Sequence, residues 1–188
     1  MSLTAAQRDA ILAEVKRYAP NQWAEWELTD SRLYDRKDKI DINLRVSNET
    51  ARGLPNWNQV EMVFTGEDEP RVVTVPSQDY EMTLTVEVTS DQGTASAGDS
   101  QETAAAIRMG FCNELTMQTL NAANVAVSQI GPTRFTEKVL DNYVFSVVSF
   151  DLELNTVYIS VPDIAQEVGA IETITQTAAG ELAPPFHS

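Results

Sequence analysis

The stretch Tyr80-Glu81-Met82-Thr83-Leu84-Thr85-Val86-Glu87-Val88-Thr89 alternates apolar and polar side chains without a break. Successive side chains of a strand point to opposite faces of a sheet, so this period of two reads as a strand. Tyr80, Met82, Leu84, Val86 and Val88 belong to a core, and Glu81, Thr83, Thr85, Glu87 and Thr89 meet solvent or a partner. Upstream, Ile40, Ile42, Leu44 and Val46 alternate in the same way with Asp41, Asn43 and Arg45. Downstream, in the run from Tyr143 to Leu154, Val148, Phe150, Leu152 and Leu154 share a face opposite Ser149, Asp151 and Glu153. At ~3.3 Å per residue that run spans about 40 Å, whereas an ordinary strand has about five or six residues. It therefore either bends at a bulge or pairs beyond its own subunit.

Working outward from these strands gives the rest of the order. Gly53 and Pro55 break the first strand, and Trp57 to Phe64 and Arg71 to Val75 form two more around the acidic turn Gly66-Glu67-Asp68-Glu69-Pro70. Residues 90 to 98 contain no large apolar side chain, so burial does not repay their ordering and they read as a mobile loop. Asp99 and Glu102 fit a capping box, after which Ala104, Ile107, Phe111 and Leu115 line one stripe of a helix ending near Leu120, roughly 30 Å long at ~1.5 Å per residue. Val125 to Ile130 is a short strand closed by Gly131-Pro132.

Toward the N-terminus, Thr4 caps a short amphipathic helix through Ile11, Val15 and Tyr18, ended by Pro20. Asn21 to Lys39 shows no period and is expected to be an irregular arm whose Trp23 and Trp26 dock somewhere. After Val161-Pro162, a last strand is expected within residues 170 to 175, followed by a flexible tail from 177 to 188. Strands grouped around one long helix, with mostly short connections, predict a single α+β domain over residues 1 to 176: an antiparallel or mixed sheet with one long and one short helix on one face.

The chain has 188 residues, with 13 Lys and Arg against 28 Asp and Glu, a formal charge of −15. Gripping nucleic acid or an anionic membrane requires clustered Lys and Arg, so this balance argues against both. The excess is uneven: residues 1 to 40 carry seven basic and seven acidic residues, and after Lys138 there is no Lys or Arg at all. There is no secretory signal pattern and no apolar run near the ~20 residues that span a bilayer, which gives a cytoplasmic expectation. With one histidine, His187, and one cysteine, Cys112, structural zinc sites and most Cys-His nucleophile arrangements are excluded by counting. No phosphate loop, dinucleotide fingerprint or serine elbow occurs. Asp151 and Glu153 on one strand face are the natural product of alternation before they are a glycosidase-like pair, and Gly66 to Glu69 lacks the spacing of a calcium loop. No catalytic residue, metal or cofactor is therefore assigned.

The strand Leu84-Thr85-Val86-Glu87-Val88, the small-residue loop, the Ala-rich helix through Phe111 and Leu115, the strand ending at Gly131-Pro132, and Tyr143 leading to Phe150-Asp151-Leu152-Glu153-Leu154 together resemble the neck or tail terminator proteins of long-tailed bacteriophages. The resemblance covers residues 40 to 175 and is one of order and texture. Val144, Phe145 and Ser146 stand where related members place charges after the tyrosine, and Arg32 and Lys37 lack the neighbouring proline.

The resemblance implies an α+β protein forming a homohexameric ring on the head-proximal end of the tail tube. Such a ring stops tube growth, meets neck or head-completion proteins and, in contractile tails, the sheath, and lets DNA pass without specific binding. It implies a virion protein assembled in the host bacterial cytoplasm, with no membrane partner. The expected subunit or neck contacts are Trp23, Trp26, Asp91, Gln92, Gly93, Tyr143 and Phe145, with Asp151 and Glu153 as lumen-facing acids. Another head-tail connector, a completion or stopper protein, is the alternative, and a carboxylate-based hydrolase a more distant one.

Overall fold

The alternating stretches become the inner strands of a sheet because each hides one face under helices. In the computed structural model, which describes residues 3–27, 40–64, 71–91, 97–140, 143–159 and 171–176, the elements run α1 (Ala5–Tyr18), β1 (Trp23–Trp26), β2 (Asp41–Phe64), β3 (Arg71–Asp91), α2 (Ala97–Gly110), α3 (Glu114–Ala122), β4 (Val125–Ile130), β5 (Arg134–Leu140), β6 (Tyr143–Ile159) and β7 (Ile171–Gln176). The sheet order is β1-β2-β3-β6-β4, with β5 also on β6 and β7 also on β2. The β1–β2 pair is parallel, and the β2–β7, β4–β6 and β5–β6 pairs are antiparallel. The architecture is mixed α+β with a mostly antiparallel sheet. Among the described residues, no helix is long and apolar enough to cross a membrane.

The chain divides into two compact units, Met1–Ala51 with Tyr80–Thr156, and Arg52–Asp79 with Val157–Ser188. In the first, Ile42 and Leu44 of β2, Leu84, Val86 and Val88 of β3, and Val148, Phe150, Leu152 and Leu154 of β6 are fully buried. They form one core with Ile11 and Val15 of α1, Ala104 and Ile107 of α2, Phe111 and Leu120. Full burial of each large apolar side chain is worth about 1.5–3 kcal/mol, which makes this face the main source of stability. Helix α1 touches α2, α3 and β1, and α3 touches β4.

Thr4 caps α1 as expected, in a closed box: Gln7 N donates to Thr4 Oγ1 (3.2 Å) and Thr4 N donates to Gln7 Oε1 (2.9 Å). The second unit contains residues 60–64 of β2 paired antiparallel with 171–176 of β7, with a register shift at Val63/Phe64. Ser77 Oγ donates to Asn56 O (3.5 Å) and Gln78 Nε2 to Arg52 O (2.9 Å), which ties β3 to β2 there.

Several expectations are corrected. The 99–120 helix is two helices. Its stripe breaks after Gly110, Asn113 Oδ1 accepts from Leu115 N (2.9 Å) to cap α3, and Leu115 turns outward, 60% exposed. Helix α2 begins at Ala97, so Asp99 lies in its first turn, where a carboxylate suits the helix dipole, rather than ahead of it as a cap.

The strands differ too. Strand β2 does not stop at Gly53-Pro55. Gly53 takes φ +65, a left-handed conformation open to glycine, and absorbs the irregularity. Neither β1 (on 41–44) nor β7 (on 60–64) reaches Pro55, and a sheet edge tolerates a residue without N–H. Strand β3 is likewise continuous where two strands were expected, and it includes buried Ser90. Residues 23–26 are a strand and not an irregular arm, and β5 was not expected at all. The overlong strand is accommodated within the chain: β5 pairs with 143–149 and β4 with 152–156, two short strands in tandem along one edge, and the β4 pairing carries a register shift between Val127 and Gln129. Residues 28–39, the turn at 66–70, the loop core 92–96, Val161-Pro162 and the tail 177–188 with His187 lie outside the described residues.

Candidate functional site

The face of the sheet opposite the helices belongs to the polar partners of the alternation. Hydrogen bonds running across it fix which residues meet. Thr85 Oγ1 donates to Asp151 Oδ1 (2.8 Å) and stands 3.4 Å from Ser47 Oγ, so β2, β3 and β6 are stitched in one row. Thr83 Oγ1 reaches Glu153 at 3.0 Å to Oε2 and 3.2 Å to Oε1, Ser47 Oγ donates to Thr83 O (3.2 Å), and Asn43 Nδ2 donates to Glu87 Oε2 (3.1 Å). Residue numbers in the β3–β6 contacts fall on one side as they rise on the other, which is antiparallel pairing.

Asp151 and Glu153 therefore share the polar face, as their spacing predicted, but they are not equivalent. Arg134 of β5 forms an ion pair with Asp151 Oδ2, the Asp151 side chain being 18% exposed and that of Arg134 57%. The register that places Arg134 beside Ser149 brings the guanidinium there. Gly131 N also donates to Asp151 O (2.8 Å), and Arg108 Nε from α2 donates to Gly131 O (3.1 Å), so the turn before β5 is held from two sides. Among the described residues, the Glu153 side chain receives only neutral hydroxyl donation, with Ser128 Oγ on its carbonyl (3.0 Å). Chemically this is a supported polar surface: each acid is braced by a β3 threonine. Among the described residues there is no group of three or more His, Cys, Asp or Glu placed to hold a metal ion.

The other predicted contact residues separate. Trp26 is tied inward: its Nε1 donates to Arg8 O (3.3 Å), the Arg8 guanidinium lies 5.2 Å from the ring centroid, and the ring rests on the core. Trp23 is 43% exposed and donates to Glu25 Oε2 (3.1 Å). Phe145 is buried at 2% within its own chain, so its side chain is core and is not on offer to a neighbour. Tyr143 is half-buried at the start of β6, opposite Leu140. Asp91 ends β3, and Gln92 and Gly93 lie outside the described residues.

Exposed apolar side chains on three strands were not anticipated from the sequence. Leu54, Trp57 and Val72 are 85%, 71% and 60% exposed, and on β5 Phe135 and Val139 are 61% and 64% exposed. The Phe-x-x-x-Val spacing of β5 was the available signal for the second; nothing in the alternation of β2 announced the first. No family model matches the chain, and no curated protein matches it significantly.

Proposed function

We propose that the protein is a structural part of a phage virion, a tail terminator that closes as a homohexameric ring on the head-proximal end of the tail tube and joins it to the neck. The observation that carries an assembly role is the exposed apolar face of β5, where Phe135 and Val139 stand at same-parity positions 61% and 64% exposed, with Leu54 and Trp57 of β2 also exposed, on a chain otherwise marked by acidic charge. Monomeric proteins scatter apolar residues singly, and grouped ones mark contact sites. The choice of a terminator among assembly parts rests on the resemblance of residues 40 to 175.

The charge suits such a place. Six copies at −15 each carry −90, and screening limits the repulsion to about 8 Å at physiological salt, so DNA passes without adhering while the channel stays open. On the polar face Asp151 is matched by Arg134, which leaves Glu153 and Glu87 as the acids of that surface without a cation across the sheet among the described residues. Tail tube protein, neck or head-completion proteins and, in contractile tails, sheath are the partners of this reading.

Negative-stain imaging and light scattering of the purified protein, alone and with tail tubes, test it. A six-fold ring with an open centre and a mass near six times 20.8 kDa is expected, capping one tube end. Protein that stays monomeric at high concentration and leaves tube length unchanged would overturn it, and binding to the portal side alone would move it to a completion or stopper protein.

A further inference from the structure

We infer that the face of the sheet opposite the helices is closed at one end by the chain's own β1–β2 connection, residues 28–39, which crosses it over Asp41, Thr89, Phe145 and Val147. The inference stands apart from the ring reading and fixes how much of that face a partner can reach.

Burial changes along this face in step with the rows that cross it. Asn43 meets Glu87 and Ser47 meets Thr83, while Thr85 meets Asp151 and Thr83 meets Glu153. Followed along the strands by twos, those registers align Asp41 with Thr89 and Thr89 with Val147, with Phe145 one row further. This end is closed: Asp41, Thr89, Val147 and Phe145 are 2%, 6%, 8% and 2% exposed. In the next row Asn43, Glu87 and Ser149 are half-buried, and at the far end Ser47 is exposed beside half-buried Thr83 and Glu153. The helices are not the cover, because α1, α2 and α3 pack on the opposite parity, against Ile42, Leu84, Val86 and Val148.

Topology selects residues 28–39 as the occupant. Strands β1 and β2 are parallel, so the chain between them crosses a face of the sheet, and such crossovers are nearly always right-handed. Strand β3 runs against β2, β6 against β3 and β4 against β6, which makes β3 and β4 parallel to each other and opposite to β1 and β2. The steps from β1 to β2 and from β3 to β4 go the same way along the order β1-β2-β3-β6-β4. Two crossovers of one hand that step the same way on strands of opposite direction lie on opposite faces. Helices α2 and α3 form the second crossover on the core face, so the first takes the polar face. It leaves and rejoins the sheet at the buried end, since β1 lies beside residues 41–44. Its length suffices: twelve residues reach up to about 40 Å at ~3.3 Å each, and β6 stands only ~10 Å from β2 at two strand spacings. Leu28, Leu33 and Tyr34 are the large apolar side chains it brings. The surface left open to a partner on this face is then the far end, at Ser47, Thr83 and Glu153.

The experiment uses the full chain in a Cys112→Ser background, which removes the native thiol. Val147→Cys places a thiol at the closed end and Ser47→Cys one at the open end, and each is labelled with a small disulfide reagent. The same two proteins are then made with residues 29–38 replaced by a Gly-Ser linker of equal length, with far-UV circular dichroism and thermal melting reporting folding. The thiol at 147 is expected to be protected in the natural sequence and to react faster by about tenfold or more with the linker, while that at 47 reacts readily in both.

A natively folded linker protein in which the thiol at 147 stays protected would overturn the inference, because something else then covers that end. Equal acceleration at both positions would also overturn it, since the segment would then hold the sheet together as a whole and not cover one part of it. Loss of the native spectrum with the linker passes the decision to a chain of otherwise natural sequence carrying a photoreactive benzoylphenylalanine at position 34. Crosslinks located by mass spectrometry are expected in the strand segments 41–43, 87–89 or 145–149. Crosslinks confined to α1, α2 or α3, or none to those strand segments, would overturn it.

Discussion

Two halves of one strand, β2, differ in everything but backbone. From Ile42 to Val46 the alternation is strict, and Ile42 and Leu44 are fully buried beneath the helices. From Arg52 to Trp57 every side chain is exposed, Leu54 at 85%. A strand is thus not stabilised by being a strand: the first half is held by what covers it, and the second offers its apolar area outward. The difference predicts that the same residue type has opposite duties ten positions apart. Leu44→Ala removes core volume and is expected to cost about 2–5 kcal/mol, read as a large drop in the denaturant midpoint of the monomer. A loss below about 1 kcal/mol would mean that the helical cover over β2 is loose.

The second test concerns that cover. A Cβ on Gly110 would overlap one edge of the Tyr18 ring. The ring is not a loose end, because Tyr18 OH meets Thr116 Oγ1 (2.8 Å), which donates to buried Glu14 Oε2 (3.0 Å), itself paired with Arg17 Nη1 (2.9 Å). Alanine gains about 1 kcal/mol of helix propensity over glycine, but overpacking against a pinned ring costs about 1–3 kcal/mol and more when nothing yields. Gly110→Ala is therefore expected to be destabilising overall in thermal melting, and Gly110→Ala with Tyr18→Leu less so than the sum of the two single changes. Neutral behaviour of the single variant would show that α1 and α2 move apart readily.

Much of the covered half was legible because period and burial are linked there. Alternation at 80–89 and 148–154 placed the core residues, and the Thr4 cap followed from residue type alone. What failed was set at a distance. The stripe Ala104, Ile107, Phe111, Leu115 continues in perfect helical spacing across a break made by Tyr18 lying on Gly110 and by the Asn113 cap. Strand β5 has only Phe135 and Val139 on its apolar face, with Glu137 between them, too short a pattern to declare itself. Asp151 and Glu153 were correctly placed on one face by parity, yet the ion pair with Arg134 depends on a hairpin register that no local pattern encodes. The exposure of Leu54 and Trp57 was equally illegible, since an apolar residue looks the same in a sequence whether or not a helix lies over it.

The cap offers a smaller effect on the covered side. Thr4→Ala removes the hydroxyl that satisfies Gln7 N and frees Gln7, which also donates to Asn124 O (3.3 Å) before β4. The expected cost is about 1 kcal/mol, visible as a modest fall in melting temperature and faster hydrogen exchange in the first turn of α1. Thr4→Ser is expected to restore most of it, and failure of that rescue would assign the loss to the methyl group and not to the box.

The smallest effect on stability is also the most discriminating. Leu54→Ala, the counterpart of Leu44→Ala on the same strand, trims a side chain that is already 85% exposed, so the monomer is expected to change by less than about 0.5 kcal/mol. If Leu54 acts as a contact side chain, the same change weakens self-association measurably while the denaturant midpoint stands still. A shift of the midpoint without any shift in association would mean the reverse, that the ribbon is closed over in solution and Leu54 contributes to folding. The ratio of the two responses, taken against Leu44, separates a side chain that stabilises the monomer from one that the monomer holds in reserve for a neighbour.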